Sequence, residues 1–191
     1  MKAIVVRQPW ATLIALGVKT IETRPCPPNG PMRPEGVRGL PGLAIERGER
    51  IAIVAGRDKA DVGKVGLAPW EPLMDPASPG RLRERMALGA VIATVVVVDA
   101  VQVTTRGRSF IDSYEDEGVL PHQRGELWLI GTKNPTGGTP TRIGEQAPYG
   151  DFTPGRWGWL LTDPKRTDPI PCKGKQGVFA LPADVAEQIP C

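Results

Sequence analysis

The chain opens on Lys2 to Val6 (KAIVV), a β-branched apolar run that predicts a buried first strand. Leu13, Ile14 and Leu16 then supply the apolar face of one short helix. Pro9 suits its first turn, where a missing N–H goes unnoticed, and Gly17 suits the left-handed position that ends it. From Lys19 to Arg24 polar and apolar residues alternate, which places Thr20, Glu22 and Arg24 on one face of a second strand. Arg50 to Ala55 (RIAIVA) predicts the next strand. Ala90 to Val98 (AVIATVVVV), extending toward Val103, is an unbroken apolar run, so it is expected to be buried on both faces or closed into a barrel. Glu126 to Ile130, Trp157 to Leu161 and Gln176 to Leu181 complete the strands. Arg81 to Leu88 reads as one or two helical turns. Pro182 starts a final short helix over Ala183 to Ile189, with Asp184 in its first turn.

Between these elements the pattern dissolves. Pro25 to Gly42 and Gly131 to Pro154 are dense in proline and glycine, and residues 56–80 and 104–125 are polar or irregular. The sum predicts a mainly β (α+β) fold: a small, partly closed β-barrel with few helices and long loops. No internal repeat or heptad pattern is present. The length of 191 residues fits one domain spanning 1–191 with insertions.

Composition adds little beyond this. Glycine and proline number 23 and 21, short of the roughly 25–30% share that signals disorder. The net charge of +3 favours an anionic partner only weakly. No run reaches the ~18 apolar residues of a membrane span. Arg7 and Gln8 interrupt any leader-like stretch, so a soluble, cytoplasmic protein is expected. Cys26, Cys172 and Cys191 are widely spaced and read as reduced thiols.

Most familiar chemistry is absent from the sequence. His122 is the single histidine and sits in a loop context. Ser78, Ser109 and Ser113 are not in a nucleophile elbow, and Lys173-Gly174-Lys175-Gln176 lacks the frame of a phosphate loop. No pattern calls for a metal or a cofactor. What remains is the amino-terminal group of Lys19, Glu22 and Arg24 beside Gln8 and Trp10. One reading is a surface ion pair on an edge strand, worth ~0–1 kcal/mol. The other is a cleft: arginine for phosphate or a carbonyl edge, lysine as point charge or base, glutamate for an exocyclic amine or as general base, Gln8 for amide contacts and Trp10 for stacking.

A second group lies near the carboxyl end. Trp157 and Trp159 share a strand face, as core or as cleft wall. Lys173 and Lys175, separated by glycine, either approach a phosphate backbone or form a solvated turn. Arg81, Arg83 and Arg85 spread around any helix that holds them and read as a solvated face.

Gln8-Pro9-Trp10 followed by Gly17-x-Lys19-x-x-Glu22-x-Arg24 resembles the GxKxxExR signature of the ASCH domain family, which belongs to the PUA-like β-barrels. Arg156 to Leu161 and Pro169 to Phe179 resemble the closing strands of that family, and Gly89 to Val98 the middle one. The resemblance implies a PUA-like barrel of about six strands, with insertions near 25–48, 56–80 and 104–154. It implies a cleft lined by Lys19, Glu22 and Arg24 and bordered by Gln8 and Trp10. The implied partner is RNA, a nucleotide or a modified nucleoside. As a binding module, Lys19, Arg24, Lys173 and Lys175 would meet phosphate or a base edge, and Trp10 or Trp157 would form the stacking wall. Some ASCH proteins resemble amidohydrolases acting on N4-acetylcytidine, and others are associated with RNA cleavage. As a hydrolase, Lys19 would be base or nucleophile activator and Glu22 a proton shuttle, with Glu115 or Glu117 as a later carboxylate. Here Glu22 stands where the hydrolases carry a threonine, with Thr20 and Thr23 as neighbours.

Overall fold

The structure, a computed structural model, describes residues 1–28, 43–57, 86–104, 128–130, 141–142 and 144–190. The elements are β1 (Lys2–Val6), α1 (Trp10–Ala15), β2 (Ile21–Arg24), β3 (Glu49–Ala55), β4 (Ala90–Thr104), β5 (Trp128–Ile130), β6 (Thr141–Arg142), a 3-10 turn (Gly144–Tyr149), β7 (Trp157–Pro171), β8 (Val178–Ala180) and α2 (Ala183–Ala186). His122, Glu115, Glu117, Arg81, Arg83 and Arg85 lie outside the described residues, as does most of the sequence expected to form insertions. Met86 to Leu88, the described end of the expected helical turns, is not helical.

Six strands form the main sheet in the order β2-β7-β4-β3-β1-β8, with β5 paired to β4 and β6 to β5. The sheet curls into a half-barrel, as the expected mainly β architecture requires. β4 and β7 are each 15 residues long and pair antiparallel with three register shifts. Such bulges bend and twist a ladder, which lets two long strands wrap a small core. Among the described residues, only β1 and β3 run parallel, with Val6 opposite Ala55.

β7 reaches ten residues beyond its expected end at Leu161. Residues 162–169 are almost all exposed and include two prolines and several charges, so no apolar alternation marks them. Its ladder with β4 holds this segment as strand, and Arg50 of β3 adds a hydrogen bond to the Asp163 carbonyl at 3.0 Å and an ion pair with the Asp163 carboxylate. β2 begins at Ile21 rather than Lys19, because the Lys19 N–H still donates back to Leu13 O and the Thr20 N–H to the Gln146 side chain.

Among the described residues, side chains alternate across the sheet into two main cores, and Ile21, Val101, Val103 and Phe152 form a third, smaller cluster. Ile51 and Ile53 of β3 join Ile4, Val6, Val95, Val97 and Trp159 under α1. Ala52 and Val54 of the same strand point the other way, to Phe179 of β8, Val185 of α2 and Leu181 between them. β4 supplies Ile92, Val95 and Val97 to the first core and Val91 to the second, so its apolar run is buried on both faces as expected. Among the described residues, no helix is long and apolar enough to cross a membrane.

Candidate cleft beside the first helix

The local fold around α1 decides which motif residues reach the surface. Gln8 sits just before the helix, with Pro9 at the N-cap position rather than inside the first turn. The Gln8 Oε1 accepts from the Thr12 N–H at 3.1 Å and the Thr12 hydroxyl at 2.9 Å, while Nε2 donates to the Ala87 carbonyl at 2.9 Å. Gln8 thus satisfies a helix N-terminus that Pro9 cannot cap, and it is fully buried. At the other end Gly17 has φ +74°. Its N–H donates to Ile14 O at 2.9 Å and that of Val18 to Leu13 O at 3.0 Å, the paired bonds of a Schellman turn. The Lys19 N–H also donates to Leu13 O at 3.1 Å, and the Lys19 side chain runs inward.

Lys19, Glu22 and Arg24 form a chain of ionic contacts. The Lys19 ammonium donates to the Ile21 carbonyl and lies 3.4 Å from Glu22 Oε2. Glu22 Oε1 is 3.1 Å from Arg24 Nε. Arg24 also donates from NH2 to the Val5 carbonyl at 2.7 Å, and its guanidinium lies 6.0 Å from the Trp159 ring centre, the outer limit of a cation–π contact. Side-chain exposure rises along the chain, from 1% at Lys19 to 11% at Glu22 and 24% at Arg24. Burial pushes the Lys19 ammonium below the usual lysine range; Glu22 opposes the shift and Arg24 adds to it.

Glu22 and Arg24 open onto a cleft of about 970 Å³, at the upper end of the roughly 300–1,000 Å³ of small-molecule sites. Of the residues expected from the sequence, Trp10, Glu22, Arg24, Lys173 and Lys175 line it. Gln8, Lys19 and Trp157 are not among its lining residues. Gln8 is occupied by α1, and Lys19 lies beneath Glu22. Trp157 packs half-buried against the first core. Its neighbour Trp159 is buried, with Nε1 donating to Cys26 O at 3.0 Å.

The sequence reading passed over Arg7, Arg57, Tyr149, Asp151 and Arg156, all of which line the cleft. Arg7 directly precedes Gln8-Pro9-Trp10 and Arg156 begins the Arg156 to Leu161 segment, so position beside or within those motifs is the available signal for them. Tyr149 and Asp151 fall in a segment read as loop. Gln146 holds that segment against the site: its Oε1 accepts from Thr20 N–H at 2.8 Å and its Nε2 donates to Val18 O at 3.0 Å. The Asp151 N–H donates to Thr23 Oγ1 at 3.2 Å. Hydrogen bonds from the Thr153 hydroxyl and N–H hold the Asp151 carboxyl below the usual carboxylate range, with Arg156 at 3.3 Å adding to the effect. Among the described residues the lining carries Arg7, Arg24, Arg57, Arg156, Lys173 and Lys175 against Glu22 and Asp151.

No family model matches the sequence, and no curated protein matches it. Among solved structures, the chain is similar to ASCH from Zymomonas mobilis. The likeness covers 98% of this chain and 91% of that one at 16% identity and a TM-score of 0.42. Two point mutants of that protein match at 15% and 16% identity, with TM-scores of 0.41 and 0.40, covering 97% of this chain in each case. This is the family that the Gly17 to Arg24 motif resembles.

Proposed function

We propose that this chain is an ASCH-type domain that binds RNA or a nucleotide in the cleft beside α1. The observation that carries the reading is the meeting of Glu22, Arg24 and Trp10 on one hollow whose lining is mainly cationic. Trp10 offers a stacking face, Glu22 accepts from an exocyclic amine, and Arg24 donates to a carbonyl edge or phosphate. Lys19 acts from below, holding the Glu22 carboxylate in place. The setting proposed is cytoplasmic, in keeping with the buried thiols of Cys26 and Cys172.

Fluorescence anisotropy with a short labelled single-stranded RNA tests the reading. Arg24→Ala and Trp10→Ala should each weaken binding about tenfold, since a stacked base or a charge-assisted contact is worth roughly 1–3 kcal/mol. Variants that bind as tightly as the parent protein would remove the cleft from consideration.

One observation favours the hydrolytic alternative. The Glu22 carboxylate touches both the Lys19 ammonium and the cleft, so it offers a proton path from a lysine with a lowered pKa to a bound ligand. Incubation with N4-acetylcytidine and with single-stranded RNA, followed by chromatography, distinguishes the two. Product that disappears in Glu22→Gln supports hydrolysis, and unchanged substrates leave binding alone.

A further inference from the structure

The two sides of the cleft differ in how their charges are matched. On the β2 side Arg24 is paired with Glu22 and Arg156 with Asp151. Arg57, Lys173 and Lys175 are exposed, line the same cleft, and form no ion pair with any described residue.

These three cations sit on one hydrogen-bonded block, although they come from distant parts of the sequence. Gly56 N–H donates to Val6 O at 2.9 Å, Gly89 N–H to Ala55 O at 2.9 Å, and Cys172 N–H to Gly89 O at 2.8 Å. The end of β3, the start of β4 and the end of β7 are therefore tied together behind the cleft. Two glycines make the block possible. Gly89 has φ +62°, and a Cβ there would lie 3.1 Å from Arg57 Cγ and 3.2 Å from its Nε, so the arginine stem runs directly across the glycine. At Gly174 a Cβ would meet Val5 Cγ2 at 2.4 Å. Only a glycine lets that loop press against β1, and the pressing places Lys173 and Lys175 on the cleft.

We infer that Arg57, Lys173 and Lys175 form a phosphate subsite, and that the ligand is a phosphate ester of a nucleoside rather than a free nucleoside. This rests on the nucleotide-binding reading above and divides the cleft into two parts. Phosphate meets the unmatched cations, and the base lies toward Trp10 and Glu22. Arg24 serves the base side because Glu22 already balances its charge. Positive side chains on a fixed backbone, without carboxylates to neutralise them, are what phosphate recognition requires.

The test uses the intact chain with three probes: a labelled single-stranded RNA hexamer, cytidine 5′-monophosphate and cytidine. Arg57→Gln, Lys173→Gln and Lys175→Gln, singly and combined, alter exposed side chains and should leave the melting temperature unchanged. The combined variant is expected to lose at least 30-fold in hexamer affinity. Its plot of log affinity against log salt should be shallower by about 2, at roughly 0.7 per phosphate contact for single strands. Arg24→Ala should lower affinity with a smaller change of slope. Cytidine monophosphate should bind the parent protein at least tenfold more tightly than cytidine. Comparing it with the hexamer shows whether a terminal phosphate or a strand is the better source of the group. A combined variant with unchanged affinity and slope, while Arg24→Ala still weakens binding, overturns the subsite and leaves the nucleotide-binding reading intact. A parent protein that binds neither hexamer nor monophosphate overturns both.

Discussion

Lys19 and Glu22 carry opposite charges at the base of the cleft, and neither is replaceable in isolation. Glu22→Gln leaves the Lys19 ammonium buried with the Ile21 carbonyl as acceptor, so a loss of about 3–5 kcal/mol is expected in urea denaturation. Lys19→Met should cost less, about 1–2 kcal/mol, because Glu22 keeps Arg24 and a costly buried charge is gone. The double variant should be more stable than the sum of the two losses implies, since Glu22→Gln strands no buried ammonium once Lys19 is methionine. The same pair sets a pH dependence. The Lys19 pKa is lowered in the folded protein, so between that value and the unfolded one the unfolded chain binds more protons. Stability must rise with pH across this window, while below it the cost of burying the charge is present in full. Unfolding free energies measured at increasing alkaline pH should therefore climb for the parent protein relative to Lys19→Met. A flat difference would mean that Lys19 is not desolvated. The motif spacing made these residues visible as a group. Their depth was not visible, because the Lys19 side chain runs inward after the turn at Gly17 while Arg24 stays at the edge.

Elements were recognised in proportion to the apolar surface they bury. β1, β3 and β4 carry long β-branched runs because both of their faces are covered, and their approximate bounds could be read directly. The outer part of β7 buries almost nothing, so Thr162 to Pro169 has the composition of a loop and becomes strand through its ladder with β4 and the Arg50–Asp163 contacts. The Lys173–Lys175 loop shows the opposite case, a polar segment with a strict steric requirement. Gly174→Ala should destabilise the protein by about 1–3 kcal/mol, because the added methyl overlaps Val5. It should also weaken RNA binding by displacing both lysines. Val5→Ala combined with Gly174→Ala should restore part of both losses, which a double-mutant cycle of melting and binding would detect. Rescue of neither would mean that the loop is not seated on β1.

Across the molecule, one sheet separates the two larger cores, which share β3 and β4. Damage on one side should therefore be felt on the other. Ile53→Ala in the first core and Phe179→Ala in the second should each cost about 2–5 kcal/mol. Each should unfold in a single transition, seen alike by circular dichroism and tryptophan fluorescence. Separate transitions would indicate that the cores are independent. The modest net charge of +3 conceals an uneven distribution, because folding collects cations from residues 7, 24, 57, 156, 173 and 175 at one place. The sequence by itself determined the mainly β class, the two-sided burial of β4, the short helix ended by Gly17, and the Lys19, Glu22 and Arg24 group. Each is written in local periodicity or in residues a few positions apart. Folding in three dimensions sets the rest: Gln8 serves the helix, Lys19 lies under Glu22, and Arg57 joins Lys173 and Lys175. Those outcomes depend on hydrogen bonds and close backbone approaches between segments up to more than a hundred residues apart, and no local pattern encodes such meetings.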